Sequence, residues 1–190
     1  INIQISDLRY SVNHIDNQFL IINQLPASIS VRVNPSRIIL GNDYSIDVTR
    51  DPSNLSYATT YMGRAGTSYY STTTKPTAIG KYTVRVISTD GNYADVVSSA
   101  DFEIIAPPVN LTVTDNEKIY NGNPQTATVL PTDGADAGKT FKVTYDNLNN
   151  PEQQGLTAPT DAGTYRIKVT FDGVYSVGTI NTTTFTIRPK

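Results

Sequence analysis

The sequence contains no cysteine and no tryptophan, and it has one histidine and one methionine among 190 residues. The lack of cysteine excludes disulfide bonds, thiolate catalysis and Cys-ligated zinc or iron–sulfur sites. Charged residues make up only 17% of the chain and form no basic run. A nucleic acid or an anionic membrane surface requires clustered Lys and Arg. Neither is therefore expected as a partner.

Long apolar stretches are also missing. The longest, residues 19–22, is far shorter than the ~20 residues that cross a bilayer, so no membrane insertion is expected in this fragment. The chain starts at Ile1 without a charged and apolar leader, which predicts that any targeting signal was removed or never present. Thr, Ser, Asn and Gly are abundant, and this bias favours turns and strands over helices.

The sequence contains an internal repeat. Residue types recur after 83 positions, as in the series Phe19, Phe102 and Phe185. The repeat predicts two complete units, residues 26–106 and 107–190, joined where two consecutive prolines remove ladder donors. Residues 1–25 are predicted to be the closing hairpin of a preceding partial unit.

The predicted hairpin of residues 1–25 differs from the later ones in its turn and in the cover of its apolar face. In the repeat register its turn lies at Asp7 and Leu8, where the later units have Asp-Gly, and Leu disfavours the positive φ of a tight turn. A lone hairpin is marginally stable in water, so its apolar face requires a cover. We expect a chain extended upstream by about 60 residues to fold as three similar units.

Within each unit the pattern is that of β-strands. Residues 82–86 and 165–169 alternate large apolar with polar side chains, which places the two sets on opposite faces of a strand. Asp-Gly pairs at 90–91 and 172–173 readily adopt the positive-φ turn that links two antiparallel strands, so each is predicted to lead from these strands into an antiparallel partner. No window sustains an apolar period of 3.6 residues, so the chain is predicted to be all-β.

One motif narrows the fold. Asp161, Gly163 and Tyr165 have the spacing of the tyrosine corner of immunoglobulin-like domains, and Gly80 with Tyr82 is a weaker counterpart. The antibody disulfide and the buried Trp are absent. We therefore predict tandem immunoglobulin-like β-sandwiches, and the alternative is a β-grasp or another small antiparallel fold.

The second unit resembles a known family. Residues 118–124 (Lys-Ile-Tyr-Asn-Gly-Asn-Pro), residues 158–165, Tyr175 and residues 185–187 are similar to the MBG-type repeats of bacterial surface proteins. The match extends over most of this unit. It implies tandem repeats in a large secreted or cell-surface protein, which would perform spacing or attachment. It implies no catalytic residue.

The first unit resembles a diverged member of the same family. It has Ile39 where the second unit has Tyr120, and Asp43 where the second has Pro124. Ala78 likewise replaces the corner aspartate. The family resemblance therefore covers both units unequally.

Catalytic and metal sites are not expected. His14 lacks a nucleophilic serine elbow, and Asp133 with Asp136 lies in a sequence typical of a solvated loop. Asp101 and Glu103, with the acidic residues of the 115–117 segment, flank the junction without the spacing of a calcium loop. No cofactor and no metal are predicted. Lys142 and Lys168 alternate out of phase with the apolar set and should face solvent, which disfavours an intramolecular Lys–Asn cross-link.

The candidate binding residues are Arg64, Tyr69 and Tyr70, in a Gly-containing segment peculiar to the first unit. Surface tyrosines can stack on sugars or pack on proteins, but adjacent strand residues face opposite ways, so at most one joins a flat platform. A glycan or a protein on a host or cell surface is the partner class considered.

Three functions remain open from the sequence. The first is a non-enzymatic bacterial cell-surface or secreted repeat segment that serves as a spacer or stalk and contributes to adhesion. The second is a carbohydrate- or protein-recognition module. The third is an accessory segment of a secreted enzyme. All three place the chain outside the cell, next to neighbouring repeats of a longer chain.

Overall fold

The structure is a computed structural model that describes residues 10–15 and 20–190. The chain divides into two compact units, Ile1–Ile105 and Ala106–Lys190. The finer boundary between residues 25 and 26 stays a prediction.

The segment before the first repeat contains an antiparallel hairpin of β1 (Tyr10–Ile15) and β2 (Leu20–Gln24). The strand that pairs with β2 is thus the segment just before it. The turn predicted at Asp7 and Leu8 lies outside the described residues.

The first unit continues with two sheets. An antiparallel pair joins β3 to β5, and a four-stranded sheet has the order β4-β8-β7-β6, in which β4 runs parallel to β8. The strands are β3 (Ser28–Asn34), β4 (Arg37–Ile39), β5 (Ser45–Asp51), β6 (Tyr57–Arg64), β7 (Gly80–Ser88) and β8 (Val97–Ile105).

The second unit repeats this plan. Its four-stranded sheet has the order β10-β15-β13-β12, with β10 parallel to β15, and its second sheet has the order β11-β9-β14. A three-residue 3-10 helix, Gly134–Asp136, precedes β12. The strands are β9 (Pro108–Thr114), β10 (Glu117–Ile119), β11 (Thr128–Pro131), β12 (Phe141–Asn147), β13 (Gly163–Phe171), β14 (Ser176–Ile180) and β15 (Thr184–Arg188).

The units differ at the end of the repeat. β8 pairs with β7 over nearly its whole length, whereas in the second unit the shorter β15 takes this place and the segment before it forms a separate strand, β14. β14 pairs parallel with β9. Glycine permits this approach, because a Cβ on Gly178 would lie 2.4 Å from Asn110 Oδ1. The first unit has Asp95 at the corresponding position and only an isolated bridge there, between Leu25 and Tyr93.

An aromatic core lies between the sheets of each unit. Its side chains come from corresponding positions of the two repeats, and burying each contributes about 1.5–3 kcal/mol. They are Tyr61, Tyr82 and Phe102 in the first unit, and Tyr145, Tyr165 and Phe185 in the second.

Two facing sheets around an apolar core make each unit an immunoglobulin-like β-sandwich, and the all-β prediction is confirmed. The β-grasp alternative does not apply, because the 3-10 helix is the only helix in the described part of the chain. The same residues contain no helix that is long and apolar enough to span a membrane.

Candidate functional site

Each of the two corner tyrosines forms a hydrogen bond that closes the turn before its own strand. Tyr82 Oη donates a hydrogen bond to the Ala78 carbonyl oxygen, and Tyr165 Oη donates one to that of Asp161, both at 2.8 Å. Both side chains are buried. Burial raises the pKa of the Tyr82 phenol, and the neighbouring Tyr69 adds to the shift. Burial likewise raises the pKa of Tyr165, with the Asp161 carboxylate adding to it.

The loop of residues 65–79, here the first-unit loop, is fastened to the edge of β6. The Gly63 N–H donates to the Tyr69 carbonyl at 2.8 Å, and Tyr61 exchanges two backbone hydrogen bonds with Thr72 at 2.7 and 3.0 Å. Thr67 Oγ1 accepts from the Lys81 N–H at 2.9 Å. The loop is therefore fixed to β6 by its backbone and to β7 by the Thr67 side chain.

Two glycines make this fastening possible. A Cβ on Gly63 would lie 2.1 Å from the Thr67 carbonyl oxygen, and one on Gly80 would lie 2.6 Å from the Thr67 methyl group. Gly163 has no such neighbour, since its nearest atoms are 3.5 Å away. Of the two corner glycines, only Gly80 is required by close packing.

The three candidate binding residues separate in the structure. Tyr69 turns inward, where its ring meets the Tyr82 ring edge-on at 5.5 Å and its hydroxyl donates to the Thr74 carbonyl. Tyr70 is 89% exposed at the surface of the first-unit loop. Arg64 lies on the sheet, 3.4 Å from Asp101. No flat platform joins the three, and Tyr70 is the one displayed.

The second unit has a matching loop, residues 148–162, that sequence comparison did not reveal. The Asn147 N–H donates to the Gln153 carbonyl at 2.8 Å, and Tyr145 exchanges backbone hydrogen bonds with Leu156. These contacts lie 84 positions after those of Gly63 and Tyr61. Side-chain identity gave no signal for the match, because the shared feature is backbone pairing.

The two loops display different side chains at corresponding places. Gln154 of the second unit stands where the first has Tyr70. A groove of about 590 Å³ lies beside it, lined in part by Asn149 and Arg166. The Gln154 amide donates to the carbonyls of Asn147 and Asn150 at 3.1 and 3.2 Å, so it stabilises its own loop.

Asp146 is a buried carboxylate that sequence reasoning missed. It accepts from the Gly155 N–H at 2.7 Å and forms an ion pair with Lys168. The hydrogen bond from Lys168 lowers the pKa of Asp146, and the Gly155 N–H acts in the same direction against the effect of burial. Lys168 itself remains 56% exposed. The carboxylate thus fastens the second loop to the sheet.

A cleft of about 200 Å³ opens beside Tyr44 in the first unit. Tyr44 Oη donates to the Pro76 carbonyl at 2.9 Å. The Lys75 ammonium lies 3.7 Å from the centre of the Tyr44 ring and donates to its carbonyl. Burial raises the pKa of Tyr44. The cleft is smaller than the ~300 Å³ of ordinary ligand pockets, and these polar groups already bind one another.

The other residues considered for catalysis or metal binding lie in strands and turns of the fold. His14 lies in β1 opposite Ile21, and the Asp136 N–H donates to the Asp133 carbonyl in the 3-10 turn. Glu103 pairs with Arg37 at 2.8 Å. Across the described residues, no group of three or more His, Cys, Asp or Glu is arranged to hold a metal ion.

The fold was compared with solved structures. A crystal structure of murine CEACAM1b is similar at 14% sequence identity and a TM-score of 0.31, and the alignment covers 86% of this chain and 100% of that one. A comparison with curated proteins gave no match.

One family model matches each of the two repeats separately. The model of the MBG domain matches residues 34–106 and residues 109–190, so it covers most of the chain and meets each unit once. The resemblance to MBG-type repeats is thereby confirmed, including in the more diverged first unit. The chain belongs to the MBG-domain family, of which it contains two tandem copies.

Proposed function

We propose that this chain is a non-enzymatic repeat segment of a secreted or cell-surface bacterial protein, and that it spaces a functional region away from the surface. The observation that carries the proposal is the duplication of one scaffold. Both units have the same order in the four-stranded sheet, the same tyrosine hydrogen bond and the same loop fastening. Repetition of one compact module extends length without adding chemistry.

The polar groups of the described residues support this role. The buried tyrosines donate to backbone carbonyls, and Asp146 fastens a loop to a sheet. These groups stabilise two sandwiches that have no cysteine to cross-link them. The MBG-domain family supports the extracellular setting.

A display experiment tests the spacing role. The chain is placed between a cell-wall anchor and a reporter binding domain, with zero, one or two units, and capture of receptor-coated beads is measured. Capture is expected to rise with the number of units and to be unaffected by Tyr70→Ala. Capture that is independent of unit number would contradict the proposal.

A second candidate, a recognition module, is favoured by the 89% exposure of Tyr70 on a backbone-fixed loop. A rigid aromatic side chain loses little conformational entropy when it binds. Tyr70→Ala and the corresponding Gln154→Ala are compared on a glycan array and on a panel of surface proteins. Recognition predicts a signal that only Tyr70→Ala removes, whereas a pure spacer gives no signal that depends on either residue.

A further inference from the structure

The outer face of the four-stranded sheet in the first unit is positively charged, although the chain as a whole has a net charge of −2. On β4, β6, β7 and β8 the outward side chains alternate with buried ones. The outward acids are Asp101 and Glu103. The outward cations outnumber them two to one: Arg37, Arg64, Lys81 and Arg85.

The corresponding face of the second unit has the same balance. Its acids are Glu117 and Asp146, and its cations are Lys142, Arg166, Lys168 and Arg188. The placements differ from those of the first face. Arg37 of β4 pairs with Glu103 of β8, while Glu117 of β10 pairs with Arg188 of β15, both at 2.8 Å. The excess of cations arises where strands that are distant in sequence lie side by side, and not from a repeated motif. The sequence therefore shows no basic run.

Two cations on each face are available to a ligand. Within the described chain, the side chains of Lys81, Arg85 and Lys142 form no ion pair or hydrogen bond. Arg166 forms no ion pair within 4 Å either, although it lies opposite Asp146 and its charge helps to lower the pKa of that carboxyl. The ion pair of Arg188 with Glu117 is exposed, at 62% and 58% of the two side chains. Exposed pairs of this kind contribute little to stability, so their cations can exchange partners.

The other groups on these faces indicate the class of anion. Threonine hydroxyls lie among the cations, at Thr144 and Thr170 in the second unit and at Thr83 in the first, where the hydroxyl donates to Asp101 at 2.6 Å and can still accept a hydrogen bond. No aromatic side chain projects from the described outer faces, whereas single-stranded nucleic acids are bound by stacking bases on aromatic rings. Lys81 and Arg85 lie four residues apart on β7, which is ~13 Å along a strand, and Thr83 lies between them. This spacing fits an extended polymer whose charges are separated by neutral, hydrogen-bonding groups.

We propose that the outer faces of the two four-stranded sheets bind an acidic polysaccharide, with sugar carboxylates on the unpaired cations and sugar hydroxyls on the threonines. This goes beyond the spacing role, which requires no ligand. Of the sequence candidates, Arg64 lies on this face but is paired with Asp101, and Tyr70 lies on the first-unit loop.

The test is binding of the complete chain to immobilised polygalacturonate by biolayer interferometry, with dextran as the uncharged polymer. Binding to polygalacturonate is expected to weaken as salt is raised, because the contacts are ionic. Each cation removed near an anionic surface lowers affinity about fivefold. The variant K81Q/R85Q/K142Q/R166Q is therefore expected to lose measurable binding.

Two control variants separate the faces from bulk charge and from folding. Arg32→Gln with Lys190→Gln removes two cations outside both faces and is expected to keep binding close to that of the wild type. The charge-preserving K81R/R85K/K142R/R166K is expected to bind, so loss in the Gln variant is a loss of charge. No binding to polygalacturonate at low salt, equal loss in the Arg32 and Lys190 control, or preference for single-stranded DNA would each overturn the proposal.

Discussion

At the scale of single residues, the phenol of Tyr165 donates its only hydroxyl proton to a backbone carbonyl inside the second unit. Tyr165→Phe removes the donor and leaves the Asp161 carbonyl without it, so the free energy of unfolding should fall by about 1 kcal/mol. Equilibrium urea denaturation measures the change. Tyr82→Phe should behave similarly in the first unit.

The matched control for these variants is Tyr70→Phe. Tyr70 is 89% exposed, so loss of its hydroxyl should leave the urea midpoint within error of the wild type. If neither Tyr165→Phe nor Tyr82→Phe lowers the midpoint more than this control, the two hydrogen bonds do not stabilise the units.

Asp146 gives the second unit a dependence on pH. Its pKa is lower in the folded state than the ordinary value of about 3.9, so its stabilising effect is complete above that value and is lost as pH falls through the lowered pKa. Asp146→Asn should therefore reduce the melting temperature at pH 7 and flatten its decline toward pH 2. Thermal denaturation across this range measures both.

Lys168→Gln is the companion variant, because the Lys168 hydrogen bond is the largest cause of the lowered pKa. It should move the acid decline of the melting temperature toward higher pH. If the melting temperatures of Asp146→Asn and of the wild type decline in parallel toward low pH, the ion pair is not the source of the pH dependence.

At the scale of elements, the first-unit loop depends on the absence of a side chain at Gly63. Gly63→Ala would place a Cβ 2.1 Å from the Thr67 carbonyl, and this contact is with backbone that has to shift. We expect a loss of about 1–3 kcal/mol, as in other cases of overpacking. Chemical denaturation of the full chain gives the change.

Gly91→Ala is the control for this element, since a Cβ there meets nothing within 4 Å. It should change stability much less than Gly63→Ala. Amide spectra should show that Gly63→Ala perturbs the loop residues around Tyr69 and Tyr70. Equal effects of the two substitutions would contradict the close packing of loop and strand.

The sequence was sufficient to predict elements whose signal is local. Alternation predicted the strands that became β7 and β13, because this signal depends on residues adjacent in the chain. The antiparallel pair predicted across each Asp-Gly turn forms between β7 and β8, but after β13 the chain enters β14, which pairs with β9 instead. β14 was not distinguished from β15, since its pairing with β9 depends on a partner about 70 residues away.

The candidate site was predictable to a smaller extent, for the same reason. The expectation that Tyr69 and Tyr70 face opposite ways came from strand alternation, but both residues lie in the first-unit loop, where backbone pairing with β6 sets their directions. Asp146 was missed, because its burial comes from the second loop, which folds over the carboxylate and donates the Gly155 N–H to it. The positive sheet faces arise only when strand register brings together cations that are far apart in sequence.

At the scale of the whole molecule, each unit contains its own paired sheets and its own aromatic core. A spacer built from repeats requires that each unit be stable as a module. The contacts described for the second unit, from the Tyr165 hydrogen bond to the β9–β14 ladder, all lie within residues 106–190.

The most direct test of this account is therefore the folding of residues 106–190 alone. We predict one cooperative unfolding transition and an amide spectrum that overlays that of the same residues in the full chain, away from the new terminus. A fragment that is unfolded, or whose core resonances around Tyr165 and Phe185 differ from those in the full chain, would contradict the claim that the protein is a series of independent MBG domains.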